Sequence, residues 1–201
     1  MSTENRLLAL VKETITTPVS GVETLRRLPW TPQSALNLNI LVVAVSVLSQ
    51  QLVLMAVNAM RETPVEPLLV SPGPFADAGF MAALSLFLIL GIWTMGTVNG
   101  RDTKFMDVAV MYGWFQLLLI AAQIVLVPIS LVLPPIGALL AVMLALFAQP
   151  YYLVCGVMAV HKFEQPLSVL GGLVLVGLVA ALLLTPVILL LGIEFTGLTN
   201  V

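Results

Sequence analysis

The sequence predicts an all-α integral membrane protein, a five-helix transmembrane bundle preceded by an N-terminal amphipathic cytoplasmic arm. Three observations carry this. Five apolar stretches, about residues 36–57, 78–98, 108–131, 136–160 and 167–193, are each long enough to cross a bilayer. About 20 residues at 1.5 Å rise cover a hydrocarbon core of roughly 30 Å, and lipid supplies no hydrogen-bond partners, so each stretch must be a helix that satisfies its own backbone. Hydrophobic residues make up 60% of the 201 positions and charged residues 9%, against about 25% charged in soluble domains, so a water-soluble core would leave too much apolar surface uncovered. Third, the basic residues sort by side. With five spans, the arm and the second and fourth connections share one side, which holds Arg6, Lys12, Arg26, Arg27, Arg101, Lys104 and Lys162, whereas the other side holds Arg61 alone. This bias predicts a cytoplasmic N-terminus and a C-terminus on the far, periplasmic side.

Two regions follow, an arm over residues 1–33 and a membrane domain over 34–201. In the arm Leu7, Leu8, Val11 and Ile15 recur at helical spacing. Thr17-Pro18 reads as a new helix start, with threonine as N-cap and proline at the first helical position. Val22, Leu25 and Leu28 then share a face, and Arg26, Arg27 and Trp30 close the segment. A basic, tryptophan-bearing amphipathic helix is suited to the headgroup layer of a cytoplasmic leaflet, which makes Arg26, Arg27 and Trp30 the candidate membrane-surface residues. Packing beneath the bundle and docking of a protein partner are the other readings of the same pattern. Pro32 and Ser34 separate the arm from the first span, which reads as an uncleaved anchor because no small-residue cleavage site follows it.

The connections differ in kind. Residues 58–77 include Pro64, Pro67, Pro72 and Pro74, which predict an extended path across the outer surface. Pro134-Pro135 cannot continue the third span, so spans three and four are antiparallel neighbours joined by a tight hairpin. The links 99–107 and 161–166 are also short. Pro128, Pro150 and Pro186 fall within or near the ends of spans three, four and five and permit kinks. Gly171, Gly172 and Gly177 in span five permit close helix contact.

Polar residues inside the spans are few. Gln50 and Gln51 in span one, Gln116 and Gln123 in span three, and Gln149 in span four are the candidate interhelical residues. Amides of this kind contribute roughly 1 kcal/mol each when they bridge helices. Gln116 and Gln123 are seven apart, on one face with Tyr112, so a polar pathway is the alternative. No nucleophile–base pair, metal-ligand cluster or phosphate loop stands out, and no cofactor site is expected. His161 is the only histidine and reads as an interfacial residue. Asp77 and Asp107 sit at helix starts on opposite sides, where each favours its own helix N-terminus and neither can pair with the other. The single Cys155 falls inside span four and reads as packing. A net charge of −2 gives no indication of nucleic-acid binding.

The segments Thr14-Ile15-Thr16-Thr17-Pro18 and Leu25-Arg26-Arg27-Leu28-Pro29 before span one, Asn99-Gly100-Arg101-Asp102-Thr103-Lys104-Phe105 before span three, and Val160-His161-Lys162-Phe163 before span five resemble the Yip1 family, in particular its bacterial branch. The resemblance covers roughly residues 10–191. It implies a multi-pass protein of the bacterial inner membrane with a cytoplasmic N-terminus. The acidic-aromatic motif of eukaryotic members, which bind prenylated GTPases, is not evident here. The function expected is a non-enzymatic scaffold or adaptor that organises membrane lipids or recruits protein partners through the arm. A small lipid or solute transporter using the polar faces of spans one, three and four, and an accessory subunit of a larger membrane complex, are the alternatives. The oligomeric state is not encoded in any pattern found.

Overall fold

A computed structural model describes residues 3–59, 69–70 and 72–195. Two arm helices, α1 (Thr3–Thr16) and α2 (Pro18–Arg26), precede α3 (Pro32–Ala59), α4 (Pro74–Val98) and α5 (Phe105–Val132). The fourth span is α6 (Pro134–Met143), a π-helical turn Leu144–Ala148, and α7 (Gln149–His161), and the fifth is α8 (Pro166–Leu190). Five of these stretches are long and apolar enough to cross a membrane. Outside them, Leu69–Val70 and Glu194–Phe195 form a two-residue antiparallel pair, Leu69 opposite Phe195 and Val70 opposite Glu194. The expected extended path over 58–77 is corrected at both ends, where residues 58–59 still belong to α3 and 74–77 already belong to α4, Pro74 serving as a helix start; residues 60–68 and 71 lie outside the described residues.

The first span begins at Pro32, four residues before the apolar run. Thr31 Oγ1 accepts a hydrogen bond from the backbone N–H of Ser34 at 3.1 Å, and Ser34 Oγ accepts one from the N–H of Thr31 at 2.8 Å. This reciprocal box satisfies two N–H groups that a helix start leaves orphaned. Pro32 and Ser34 therefore open the helix as well as separating it from the arm. Thr17 stands at the N-cap position of α2 as expected, with Pro18 at the first position, but its side chain does not cap the helix. The Thr17 hydroxyl donates back to the Glu13 carbonyl at 3.0 Å. The Glu13 carboxylate joins the two arm helices instead, accepting from Ser20 and from Thr24 at 3.1 Å.

The hairpin between spans three and four is as tight as the paired prolines imply. Leu133 alone separates α5 from α6, and a Cβ on Gly137 would fall 2.3 Å from Ser130. The π-helical turn has a local cause. Pro150 offers no N–H to the Leu146 carbonyl, and its ring collides with that carbonyl in a regular helix, so the preceding turn widens.

The bundle is arranged around α5, which packs against α3, α4, α6 and α7, while α8 closes the ring by packing on α4 and α7. Val108 through Phe115 are all buried. A span buried on every face needs neighbours on every face, and at this end α2 supplies one, lying on α7 and α5. In span five only Gly172 meets a neighbour, with its Cβ position 2.3 Å from Met95 Sδ, whereas Gly171 and Gly177 face open space.

Candidate functional site at the arm end of the bundle

Four segments distant in sequence meet where the arm joins the spans. α1 and α2 cross at Gly21, whose Cβ position lies 2.6 Å from Thr14 Cα, so only glycine permits the approach. Thr14 is fully buried. Its hydroxyl donates to the Leu10 carbonyl at 2.8 Å and accepts the indole N–H of Trp114 at 3.1 Å, which ties the arm to span three. Leu10, Val22 and Leu25 complete an apolar seat against Val108–Phe115 and Val157–Val160.

Arg26 leaves the last turn of α2 and reaches the first turn of α5. Its Nη2 and Nε donate to Asp107 Oδ2 at 2.8 and 3.2 Å, and Nη1 points at the Ala159 carbonyl at 3.5 Å. Asp107 is thus favoured twice, by the guanidinium and by the partial positive charge of its helix N-terminus. Trp30 folds back, and its indole N–H donates to the Leu25 carbonyl at 2.9 Å, which satisfies one orphan carbonyl at the end of α2.

The link between α4 and α5 is pinned from three sides. The Trp93 indole N–H donates to the Thr103 carbonyl at 3.0 Å. Thr103 Oγ1 is hydrogen-bonded to His161 Nδ1 at 2.9 Å. The Arg101 guanidinium lies 5.6 Å from the ring centroid of Phe163, a cation–π distance. His161 ends the fourth span, as expected of an interfacial residue, but it is 1% exposed and packed within the protein. Gly96 makes room for the ring, because a Cβ there would fall 2.0 Å from Nδ1. Lys162 then ends α7 in the left-handed region at φ 56°, and the Phe163 N–H returns to the Met158 carbonyl.

Of the three candidate surface residues, Arg26 is engaged within the protein, Trp30 is half-buried, and Arg27 is exposed. Glu23, Arg26, Arg27, Lys104 and Asp107 line an open depression of about 470 Å³. Its rim carries more positive than negative charge, on a floor fixed by the Arg26–Asp107 pair.

The five glutamines do not converge. Gln51 Nε2 donates to Asp77 Oδ2 at 2.9 Å, joining spans one and two at the end opposite the arm. Gln116 and Ser85 neighbour the Tyr112 phenol within the bundle. Gln50, Gln123 and Gln149 are exposed on the outside of their spans, so helical phase alone does not make Gln116 and Gln123 one polar face. A residue missed by the sequence reading does bridge helices: Asn39 Nδ2 donates to the carbonyls of Ala35 at 2.9 Å and Ala109 at 3.1 Å. A polar amide facing the small Gly113 across span three was its only signal. Thr103 and His161 were legible as members of the quoted segments, but not as partners. Among the described residues there is no group of histidine, cysteine and acidic side chains able to hold a metal ion.

The structure therefore gathers the segments before spans one, three and five into one packed junction. No curated protein and no solved structure matches the chain. The Yip1 domain profile matches residues 12–192, from the arm through the fifth span. With that match over nearly its whole length, the chain is a member of the Yip1 domain family of multi-pass membrane proteins.

Proposed function

We propose that the protein is a non-enzymatic membrane scaffold or adaptor of the Yip1 type, which organises lipids or recruits partners through its arm-bearing face. The observation that carries this is the junction itself. Arg26, Thr14 and the buried face of α2 fasten the arm to spans three and four, and the exposed Arg27, Arg101, Lys104 and Lys162 stand around it. Exposed basic side chains on a floor fixed by the Arg26–Asp107 pair suit recognition of an anionic surface, since each basic residue near such a surface contributes about 1 kcal/mol. The seven-to-one distribution of basic residues supports a cytoplasmic arm and a C-terminus on the opposite side of the membrane, the periplasm if the membrane is a bacterial inner one. The transport alternative draws on the amides, and the scattered positions of Gln50, Gln123 and Gln149 give it little support.

The two readings separate in one experiment on the full chain. Arg27→Glu with Lys104→Glu is expected to lower the amount of anionic lipid or protein that co-purifies in mild detergent, while Gln116→Leu with Gln123→Leu leaves it unchanged. The transport reading wins if the glutamine variant keeps its thermal stability and loses lipid or solute flux in reconstituted liposomes.

A further inference from the structure

Spans three and four touch at both ends and part between. At the hairpin, Gly137 lies against Ser130, and at the arm end Gly156 lies against Phe115 and Met111, with Cβ positions 2.3 Å from Phe115 Cε2 and 2.7 Å from Met111 Sδ. Between these contacts the π-helical turn Leu144–Ala148 sits in the wall of a groove of about 1010 Å³. Ala121, Ala122, Val125, Leu140, Leu144 and Phe147 line its body. At its arm end Val11 and Ile15 of α1 close it beside Tyr151 and Tyr152, and the Tyr152 hydroxyl donates to the Ile15 carbonyl at 3.1 Å.

Both walls are spans apolar enough to lie in a bilayer, so the open side of the groove faces hydrocarbon. Water is a poor occupant, because a buried water needs two to four polar partners and the body of the groove offers none. A helix from another copy, about 10 Å across, does not enter a gap whose two walls meet at either end. A polymethylene chain, whose carbons pack at about 4 Å from their neighbours, does. The body of the groove is hydrocarbon, and Tyr151 and Tyr152 at its arm end are the polar side chains among its lining residues.

We propose that this groove is a lipid site, which holds one acyl chain of a bilayer phospholipid between spans three and four, reaching Tyr151 and Tyr152 beneath the arm. The arm is then part of the site, since Val11 and Ile15 touch the same chain. This inference stands independently of the scaffold reading, which rests on the charged rim at Arg27 and Lys104.

Native mass spectrometry of the full chain, extracted in mild detergent from nanodiscs of phosphatidylethanolamine and phosphatidylglycerol, tests it. One phospholipid per chain is expected to survive extraction. Ala122→Trp and the milder Ala122→Leu, which fill the groove, are expected to lose it, while Val174→Trp on the exposed face of α8 keeps it. As an independent reading, the conservative Phe147→Trp is expected to be quenched by chain-brominated phospholipid at levels that leave Leu175→Trp unquenched. Equal retention in Ala122→Leu and the parent, equal loss in Val174→Trp, or equal quenching at 147 and 175 overturns the proposal. So does a disulfide between two copies of Ala122→Cys in a Cys155→Ser background, which would make the groove a contact between chains.

Discussion

Arg26 and Asp107 are 81 positions apart in the sequence and hydrogen-bonded at 2.8 Å, so one ion pair fastens the N-terminal arm to the central span. The side chains are 28% and 17% exposed, which places the pair between a surface bridge and a buried one. A double-mutant cycle of Arg26→Ala and Asp107→Ala, read by thermal unfolding in detergent, is expected to give a coupling of about 1–2 kcal/mol. Arg26→Lys is expected to lose most of it, because an ammonium cannot reproduce the paired Nε and Nη2 contacts.

The seat of His161 sets a second expectation. Gly96→Ala forces the imidazole away from Thr103 and is expected to cost about 1–3 kcal/mol, the usual range for overpacking. Gly171→Ala, which meets open space inside α8, is expected to gain about 0.5–1 kcal/mol from lower chain entropy. Equal effects of the two substitutions would mean that span four does not press on span two at this point.

Thr103 is the matching half of that contact. Thr103→Val leaves a buried imidazole nitrogen without its partner and is expected to cost about 1–3 kcal/mol. Thr103→Ser keeps the hydroxyl and is expected to cost much less. The difference between the two melting temperatures measures the hydrogen bond apart from the packing.

The glutamines give a graded series. Gln123→Leu is expected to leave stability unchanged, since that side chain is exposed and makes no hydrogen bond among the described residues. Gln51→Leu removes the donor to Asp77 and is expected to cost about 1 kcal/mol. A larger loss at Gln123 than at Gln51 would contradict the placement of both.

Topology is tested directly by reporter fusions. Leu28 and Lys104 are expected on the cytoplasmic side, and Pro72 and Ile193 on the opposite side. A cytoplasmic reporter at Ile193 would contradict the charge-based orientation.

The spans were legible because hydropathy over about 20 residues is a long signal that no local feature reverses. Their ends were less so. Residues 32–35 belong to span one through a Thr31–Ser34 box, and two short polar side chains are a weak pattern when no glutamate or glutamine stands at the third position. The arm was read as two amphipathic pieces joined at Thr17-Pro18, and the structure has helices over Thr3–Thr16 and Pro18–Arg26. Its apolar face, however, fits an interface and a membrane surface equally well, and Arg26 finds its partner 81 residues away. The amides were the least legible. Seven-residue spacing puts Gln116 and Gln123 near one face, but the arrangement of neighbours along span three determines which of them meets protein, and composition carries none of that.

The widened turn at Leu144–Ala148 has a consequence for comparison with relatives. Such a turn holds one residue more than the helix needs, so the residues of span four before and after it run out of phase by that residue. A relative without a proline at position 150 is expected to align with a single-residue gap between 144 and 148. Helical-wheel assignments made on one side of the gap then point to the wrong neighbours on the other.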